Sequence, residues 1–434
     1  MNNLMMKNLF AILLLAAGLC IPTAEAKTVK KTTGKNIVSG TLWKDEAGDT
    51  LNAHGAGMLY YNGTYYLYGE YKTGKTVLPS WATWECYRTD VTGVSCYSSK
   101  DLVNWKFEGL ALKAEPGNPE SDLHPSKVLE RPKVVYNPAT KKFVMWAHVE
   151  SADYSKAAAG VAVSDSPTGP FKYLGSFRPN DAMSRDQTVF VDDDGKAYQF
   201  CSSENNATLY INELTDDYLK PTGKYTRNFV KLSREAPAVF KHNGKYYMLT
   251  SGCTGWDPNV AELAVADSVM GPWRMLSNPC TGPDADKTFY AQSTYVQPVY
   301  GKKDAYIAMF DRWNKKDLAN SRYVWLPVKF DSKGNITIPW KASWNPATEW
   351  QTTDSRNVYL IQDYAIAAQR FDETAQAIAH ASGCSIKTDL TKNGAVKVNP
   401  VNGKMSLLDA VRTAIKGTSL KVKAVNDGRE IVVE

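Results

Sequence analysis

With 434 residues, 43% of them hydrophobic, and with 12 Trp and 24 Tyr, the chain can bury a large core and hold more than one domain, which excludes a disordered protein. The formal net charge of +6 is spread along the chain and no basic run is interleaved with a nucleic-acid motif, so no nucleic-acid partner is expected. The lack of a CxxC pair or of a Cys/His cluster with zinc spacing excludes a structural zinc of that kind.

In chain order, residues 1–26 come first as a signal peptide. Lys7 precedes an apolar run from Leu9 to Ile21, and Ala24-Glu25-Ala26 supplies the small residues that a signal peptidase needs. The run is too short to cross a membrane. Leu19 stands before Cys20 where a lipobox carries a small residue, which argues against lipidation. Cys86, Cys96, Cys201, Cys253, Cys280 and Cys384 would then enter a compartment where disulfides form. Cys86 with Cys96, and Cys253 with Cys280, are near enough in sequence to bridge, and buried free thiols are the equal alternative.

Residues 57–340 repeat one unit five times: a polar start, an alternating strand, a turn, and a second strand rich in aromatics. The examples are GMLYYNGTYYLYGE, PKVVYNPATKKFVMWAH, QTVFVDDDGKAYQFC, PAVFKHNGKYYMLTSG and STYVQPVYGKKDAYIAMF. Asn-Gly, Asp-Gly and Tyr-Gly supply the positive φ that hairpin turns require. A second strand pair follows, as in GVAVSDSPTGPFKYLG and ELAVADSVMGPWRML. Four strands per unit and five units predict an all-β five-bladed β-propeller over residues 27–350, whose radial repetition leaves only short sheet edges.

In a propeller the first strand of each blade lines the axis, so the residues that begin those strands crowd one mouth of the tunnel. Nine residues before Gly195, Gly244 and Gly301 stand Asp186, Glu235 and Gln292. The same count from Gly63 reaches His54, with Asn52 two residues earlier on the same strand face. Glu130, before Arg131-Pro132-Lys133, takes the place in the second unit. Water-filled channels carry polar residues for no further reason. Converging carboxylates, however, shift one another's pKa, an arrangement suited to chemistry.

The segments RDQTVFVDDDGKAY and REAPAVFKHNGKYYML resemble those of glycoside hydrolase family 43, a five-bladed propeller family, over about residues 40–345. The resemblance implies that Glu235 is the general acid and that Asp186 tunes its pKa and orients substrate. Where the family's base segment reads Asp-Pro-His, this chain reads Asn52-Ala53-His54. That departure resembles the subgroup lacking the usual base, typified by exo-β-1,3-galactanases. Its pattern is met by Glu70 in YGEYK, Glu130 in LERPKVVYN, Tyr154 in DYSKAAAGVAVS, Asn205-Asn206 in SSENNATLY, Thr254 in SGCTGWDPN and Gln292 in AQSTYV. The resemblance implies that Gln292 holds the attacking water, as the amide or its imidic tautomer.

Inverting hydrolysis needs an acid on the leaving oxygen and a water-holding group on the opposite face, about 6.5–9.5 Å away. Negative charge from Asp186 and Glu130 would raise the pKa of Glu235 toward the acid's task. Glu70, Glu130, Tyr154, Asn205, Asn206 and Thr254 are then expected to bind sugar hydroxyls. Trp256 is expected to stack on a sugar or to serve the core, while Asn52 and His54 complete the site, with a structural role for His54 as the equal alternative. Asp192–Asp194 read as turn residues rather than calcium ligands. No cofactor is expected to be required, and a structural calcium stays open.

After a polar linker at residues 351–370, the chain changes character. AQAIAHASGCSIKTDL has helical spacing and runs into a strand at Cys384 to Lys387; a further strand, a helix from Ser406 to Ile415 and a hairpin turning at Asn426-Asp427-Gly428 follow. Ser406 with Asp409 forms a variant capping box. Residues 371–434 thus predict a small α+β domain, which resembles the short N-terminal domain of secretins and TonB-dependent receptors. The resemblance implies contact with an envelope protein, in the periplasm or cell envelope of a Gram-negative bacterium.

The expectation is an exported monomeric glycosidase that releases galactose from β-1,3-galactan of the plant arabinogalactan type. An α-L-arabinofuranosidase or β-D-galactofuranosidase of the same family, and a non-catalytic glycan-binding propeller, are the alternatives.

Overall fold

The computed structural model describes residues 35–350, 358–359, 361–382, 384–425 and 430–434. The signal peptide, much of the linker's first half and the Asn426-Asp427-Gly428 turn lie outside the described residues. Five antiparallel sheets follow one another along residues 54–327. The first is His54–Tyr61, Thr64–Val77, Arg88–Ser99 and Lys106–Lys113; the second Val128–Asn137, Lys142–Glu150, Ala158–Ser164 and Lys172–Phe177. The third is Gln187–Val191, Ala197–Ser203, Thr208–Leu214 and Pro221–Asn228; the fourth Arg234–His242, Lys245–Gly252, Glu262–Ala266 and Arg274–Met275. Gln292–Pro298, Tyr306–Arg312 and Arg322–Pro327 make the fifth.

Turn chemistry sets these registers. Asn62-Gly63 (φ 48° and 69°) and Asn243-Gly244 (φ 48° and 76°) hold positive φ at both central positions, as two-residue hairpin loops require. Tyr61 therefore pairs with Thr64, and His242 with Lys245.

Sheet packing explains why the strands are more continuously apolar than simple alternation demands. One hydrophobic cluster joins the first and second sheets, including Tyr68 and Met145, and another joins the second and third through Trp146 and Val189. Phe200 and Met248 belong to the cluster between the third and fourth, and Leu249 and Phe310 to that between the fourth and fifth. Leu67 and Trp325 close the series between the first and fifth. Each sheet is thus buried on both faces, and the first strands contact one another in the same cyclic order.

The fifth sheet has three strands rather than the expected four. Its outer strand is covered by the start of the described chain: the Gly40 N–H donates to Tyr323 O (2.7 Å), and Ile37–Val38 pairs with Ser343–Trp344. The Trp344 indole donates to Trp325 O at 2.8 Å. Residues from both ends of the sheet region therefore fasten the seam between the first and fifth sheets.

The C-terminal residues form an α+β unit with its own core, built on Phe371, Ile378, Leu407, Val411 and Ile431. Helices Phe371–Ser382 and Leu407–Ile415 appear where helical spacing places them, and the Ser406 hydroxyl accepts from the Asp409 N–H as a cap. Residues 361–366, read from sequence as linker, instead form a strand paired with Val401–Ser406. The Arg412 guanidinium donates to the carbonyls of Asp192 (2.9 Å) and Asp193 (3.0 Å), anchoring this unit on the third sheet. The six described cysteines are all free thiols, so neither bridge is formed.

Trp344→Ala removes a buried indole and its hydrogen bond from the seam. It is expected to lower the unfolding free energy by about 3–5 kcal/mol, read from denaturant titration; an unchanged midpoint would show that the seam does not unfold with the sheets.

Candidate active site

The first strands do not run straight to their ends. Pairing shifts after His54, Glu130 and Glu235, and in each case the next residue is left-handed: Gly55 (φ 57°), Arg131 (φ 50°) and Ala236 (φ 55°). Such bulges bend the strand and re-aim the side chains beside them. At Gly55 a Cβ would stand 2.2 Å from Glu70 Oε1, so this position needs glycine for space as well as for φ. The second strands add a facing row: Glu70 opposite His54, His148 opposite Glu130, Ser251 opposite Glu235 and Asp311 opposite Gln292.

These residues surround a cavity of about 380 Å³. Of the residues singled out from sequence, Glu70, Glu130, Tyr154, Asp186, Asn206, Glu235, Trp256 and Gln292 line it. Four do not. Asn52 is turned to the backbone of Lys72, donating to its carbonyl (2.6 Å) and accepting from its N–H (3.1 Å), so it braces the first sheet. His54 is 1% exposed, stacked on Tyr323 and 3.5 Å from Asp311, beneath the cavity floor. The Thr254 hydroxyl is engaged with Asp257 O and the Asn259 amide, and exposed Asn205 occupies a left-handed turn position. A larger cavity of about 810 Å³ lies against the C-terminal unit, but its Asp192, Asp193 and Asp409 are paired with Lys241 or Arg412. It offers no free acid and base pair, so the smaller cavity is the better candidate.

Arg131 is the centre of the site and was not singled out from sequence. Its guanidinium meets Asp186 (2.8 Å), Gln292 Oε1 (2.6 Å) and Ser293 O (3.0 Å), while its backbone N–H donates to Glu70 (2.9 Å). The clue was the parallel between Glu130-Arg131-Pro132 and Glu235-Ala236-Pro237, which places residue 131 on a bulge. Trp313, also missed, donates to the same Gln292 oxygen at 2.9 Å. Since Arg131 and Trp313 can only donate, they dictate the amide's orientation. Its Nε2 then donates to Glu235 Oε1 (3.0 Å) and Ser251 Oγ (2.9 Å).

Charge is divided among the carboxyls by their surroundings. Burial and the neighbouring Asp186 push Glu235 up to about 8, against Arg131 and the Gln292 amide, so it is protonated at neutral pH. Glu130 goes the other way: burial opposes its charge, but His148, 3.2 Å away, with Lys72 and Arg131, holds it low. Tyr154 donates to Glu130 at 3.0 Å. Glu70 is paired with buried Lys72 at 2.5 Å. The expected separation of acid and water-holder is not found between Glu235 and Gln292, which are in direct contact.

Glu130, His148 and Asp186 present ligand atoms within 4.8 Å of one another. These donors are already engaged within the protein. Although burial disfavours its charge, His148 is pushed up to about 9 by Glu130 and Glu150, which makes it an imidazolium, and Asp186 is committed to Arg131. The Asp192 and Asp193 carboxylates likewise face Lys241.

Comparison with known proteins is consistent with this chemistry. No curated protein matches. Among solved structures, a family 43 β-1,3-galactosidase with galactodeoxynojirimycin is 44% identical, with a TM-score of 0.67 over 71% of this chain and 100% of that one. An exo-β-1,3-galactanase from Phanerochaete chrysosporium with β-1,3-galactotriose is 34% identical, with a TM-score of 0.64 over 77% of this chain and 73% of that one. One from Clostridium thermocellum is 36% identical, with a TM-score of 0.64 over 76% and 71%. Residues 57–306 match the family described as glycosyl hydrolases family 43. The chain belongs to that family and is a glycoside hydrolase.

Proposed function

We propose that the five sheets are the blades of a five-bladed propeller, and that the chain is an exo-acting β-1,3-galactosidase releasing galactose from the ends of β-1,3-galactan with inversion. The observation that carries this reading is Glu235, pushed toward its neutral form by burial and Asp186, in contact with Gln292, in a cavity where Glu130 is paired with His148. One carboxyl is kept neutral to give a proton while its neighbours bind or balance charge, a division typical of glycosidic bond cleavage. The ligands of the similar structures, galactodeoxynojirimycin and β-1,3-galactotriose, favour galactose over arabinofuranose as the sugar.

On this reading Glu235 protonates the leaving oxygen. Arg131 and Trp313 hold the Gln292 oxygen, and Ser251 holds its amide, so Gln292 stays in place when Glu235 turns to substrate. Substrate therefore has to separate Glu235 from Gln292 before a water can lodge against the amide, since inversion requires room between the two. The signal peptide reading places the reaction outside the cytoplasm, and the C-terminal unit is an envelope contact module.

Wild-type enzyme should release galactose from β-1,3-galactan and no arabinose from an aryl arabinofuranoside; the opposite preference would overturn the choice of sugar. Because the acid must be protonated, kcat/KM on β-1,3-galactobiose should fall as pH rises through about 8. Glu235→Gln should lower that activity by about 10²–10⁴-fold and abolish the alkaline limb, while sparing β-galactosyl fluoride, whose leaving group needs no proton. A limb that persists in the variant would assign the acid to another group.

Gln292→Ala should cost about 10²-fold or more in kcat. Asn52→Ala should act on stability rather than turnover, because Asn52 bonds only to backbone and to groups outside the cavity. Kinetics showing the reverse ranking would place the water-holding group in the first sheet, and retained anomeric configuration in the product would overturn the inverting scheme.

A further inference from the structure

The catalytic reading uses the cavity's floor and leaves its rim unexplained. Two indoles of the loop between the second and third strands of the first sheet, Trp81 and Trp84, are 47% and 46% exposed, although tryptophan is a residue that folding normally covers. Only Trp84 lines the cavity. Its ring meets Tyr154 edge-on at 5.7 Å, and a Cβ added at Gly255 would lie 3.8 Å from its Cζ3. Gly255 belongs to the same loop as Cys253, whose thiol adjoins the Glu235 carboxyl. Trp84 therefore stands at the mouth on the side of the proton donor.

The position of this ring is built. Lys315 Nζ reaches Glu85 Oε2 (2.6 Å) and Asp257 Oδ1 (2.9 Å), residues adjoining Trp84 and Trp256 in sequence. The Leu318 N–H donates to Thr76 Oγ1 at 2.8 Å, and the Cys86 N–H to Trp84 O at 2.7 Å. Loops of the first, fourth and fifth sheets are thereby stitched into one wall, with the Trp84 ring held against it and part of its surface left to solvent.

We propose that Trp84 is the platform of a second subsite, which takes the neutral pyranose ring of the leaving chain next to the galactose being released. The proposal rests on the exo-galactosidase reading, since it requires the terminal sugar to sit on the cavity floor. The glycosidic oxygen must then face Glu235, and the next ring lies outward of it, at the mouth where Trp84 stands. An indole offers such a ring a broad apolar face without the cost of burying a charge.

Trp84→Ala should raise KM for β-1,3-galactobiose roughly tenfold and leave kcat/KM for β-galactosyl fluoride unchanged, because fluoride places no sugar in the second subsite. Trp84→Phe should restore most of the affinity. Trp81→Ala, which removes an equally exposed indole outside the cavity, should alter neither substrate. Equal losses on both substrates would show that Trp84 only supports the loop, and an unchanged KM for galactobiose would show that the leaving sugar lies elsewhere; either result overturns the subsite. If the wild-type enzyme hydrolyses neither substrate, the galactosidase reading fails beneath it.

Discussion

The buried guanidinium of Arg131 is the constraint around which the site is arranged. A cation only 4% exposed is tolerable because each of its three nitrogens has a partner: Asp186 from the third sheet, and Gln292 and Ser293 from the fifth. Removing one member of such a buried pair typically costs about 3–5 kcal/mol, because the other charge is left uncompensated. The same contacts that satisfy the charge also fix distances across the mouth. Arg131 belongs to the second sheet, so one side chain holds three sheets in register at the mouth of the candidate site.

That arrangement sets the electrostatics through competition. Asp186 pushes the Glu235 proton affinity up and Arg131 pulls it down; burial, the largest influence, decides the outcome in favour of the protonated form. For Glu130, burial acts in the same direction but loses to His148, Lys72 and Arg131. The two glutamates are thus pushed toward opposite protonation states because only one of them has a cation opposite it on the neighbouring strand. Glu130 faces His148, whereas Glu235 faces Ser251. The register of two hairpins accounts for the difference.

This is also where reading the sequence succeeded and where it stopped. Turn glycines are local signals, and counting from Gly195, Gly244 and Gly301 located Asp186, Glu235 and Gln292 at one cavity. The same count failed for the orientation of Asn52 and His54. Gly55 lets the chain pass close to Glu70, and the side chains of Asn52 and His54 meet Lys72 and Tyr323 instead of the cavity. Glu70, His148, Ser251 and Asp311 form a second row that appears only when both arms of each hairpin are counted outward from the turn. Arg131 and Trp313 depend on contacts between sheets, which no single strand pattern encodes.

The dependence runs from the packing of the first sheet on the fifth to the candidate site. Gln292 is carried by the fifth sheet, whose position beside the first is maintained by contacts across the seam: the Gly55 N–H to Asp311 (2.8 Å), the Thr294 hydroxyl to Ala56 O (2.6 Å) and the Ala53 N–H to the Tyr323 hydroxyl (2.8 Å). Asp311 lies opposite Gln292 on the neighbouring strand, so the seam bond and the Gln292 amide share one hairpin. A shift of this seam by even about 1 Å would reach Gln292 directly, and misplacement of that size can cost a catalytic site about 10²-fold. In the proposed mechanism an amide holds the water, which moves the burden of precision from the first sheet to the fifth. In that mechanism the amide has no charge with which to draw a water toward itself, so its geometry must do what a carboxylate's field would otherwise do. The clamp of Arg131, Trp313 and Ser251 on Gln292 is the structural counterpart of that requirement.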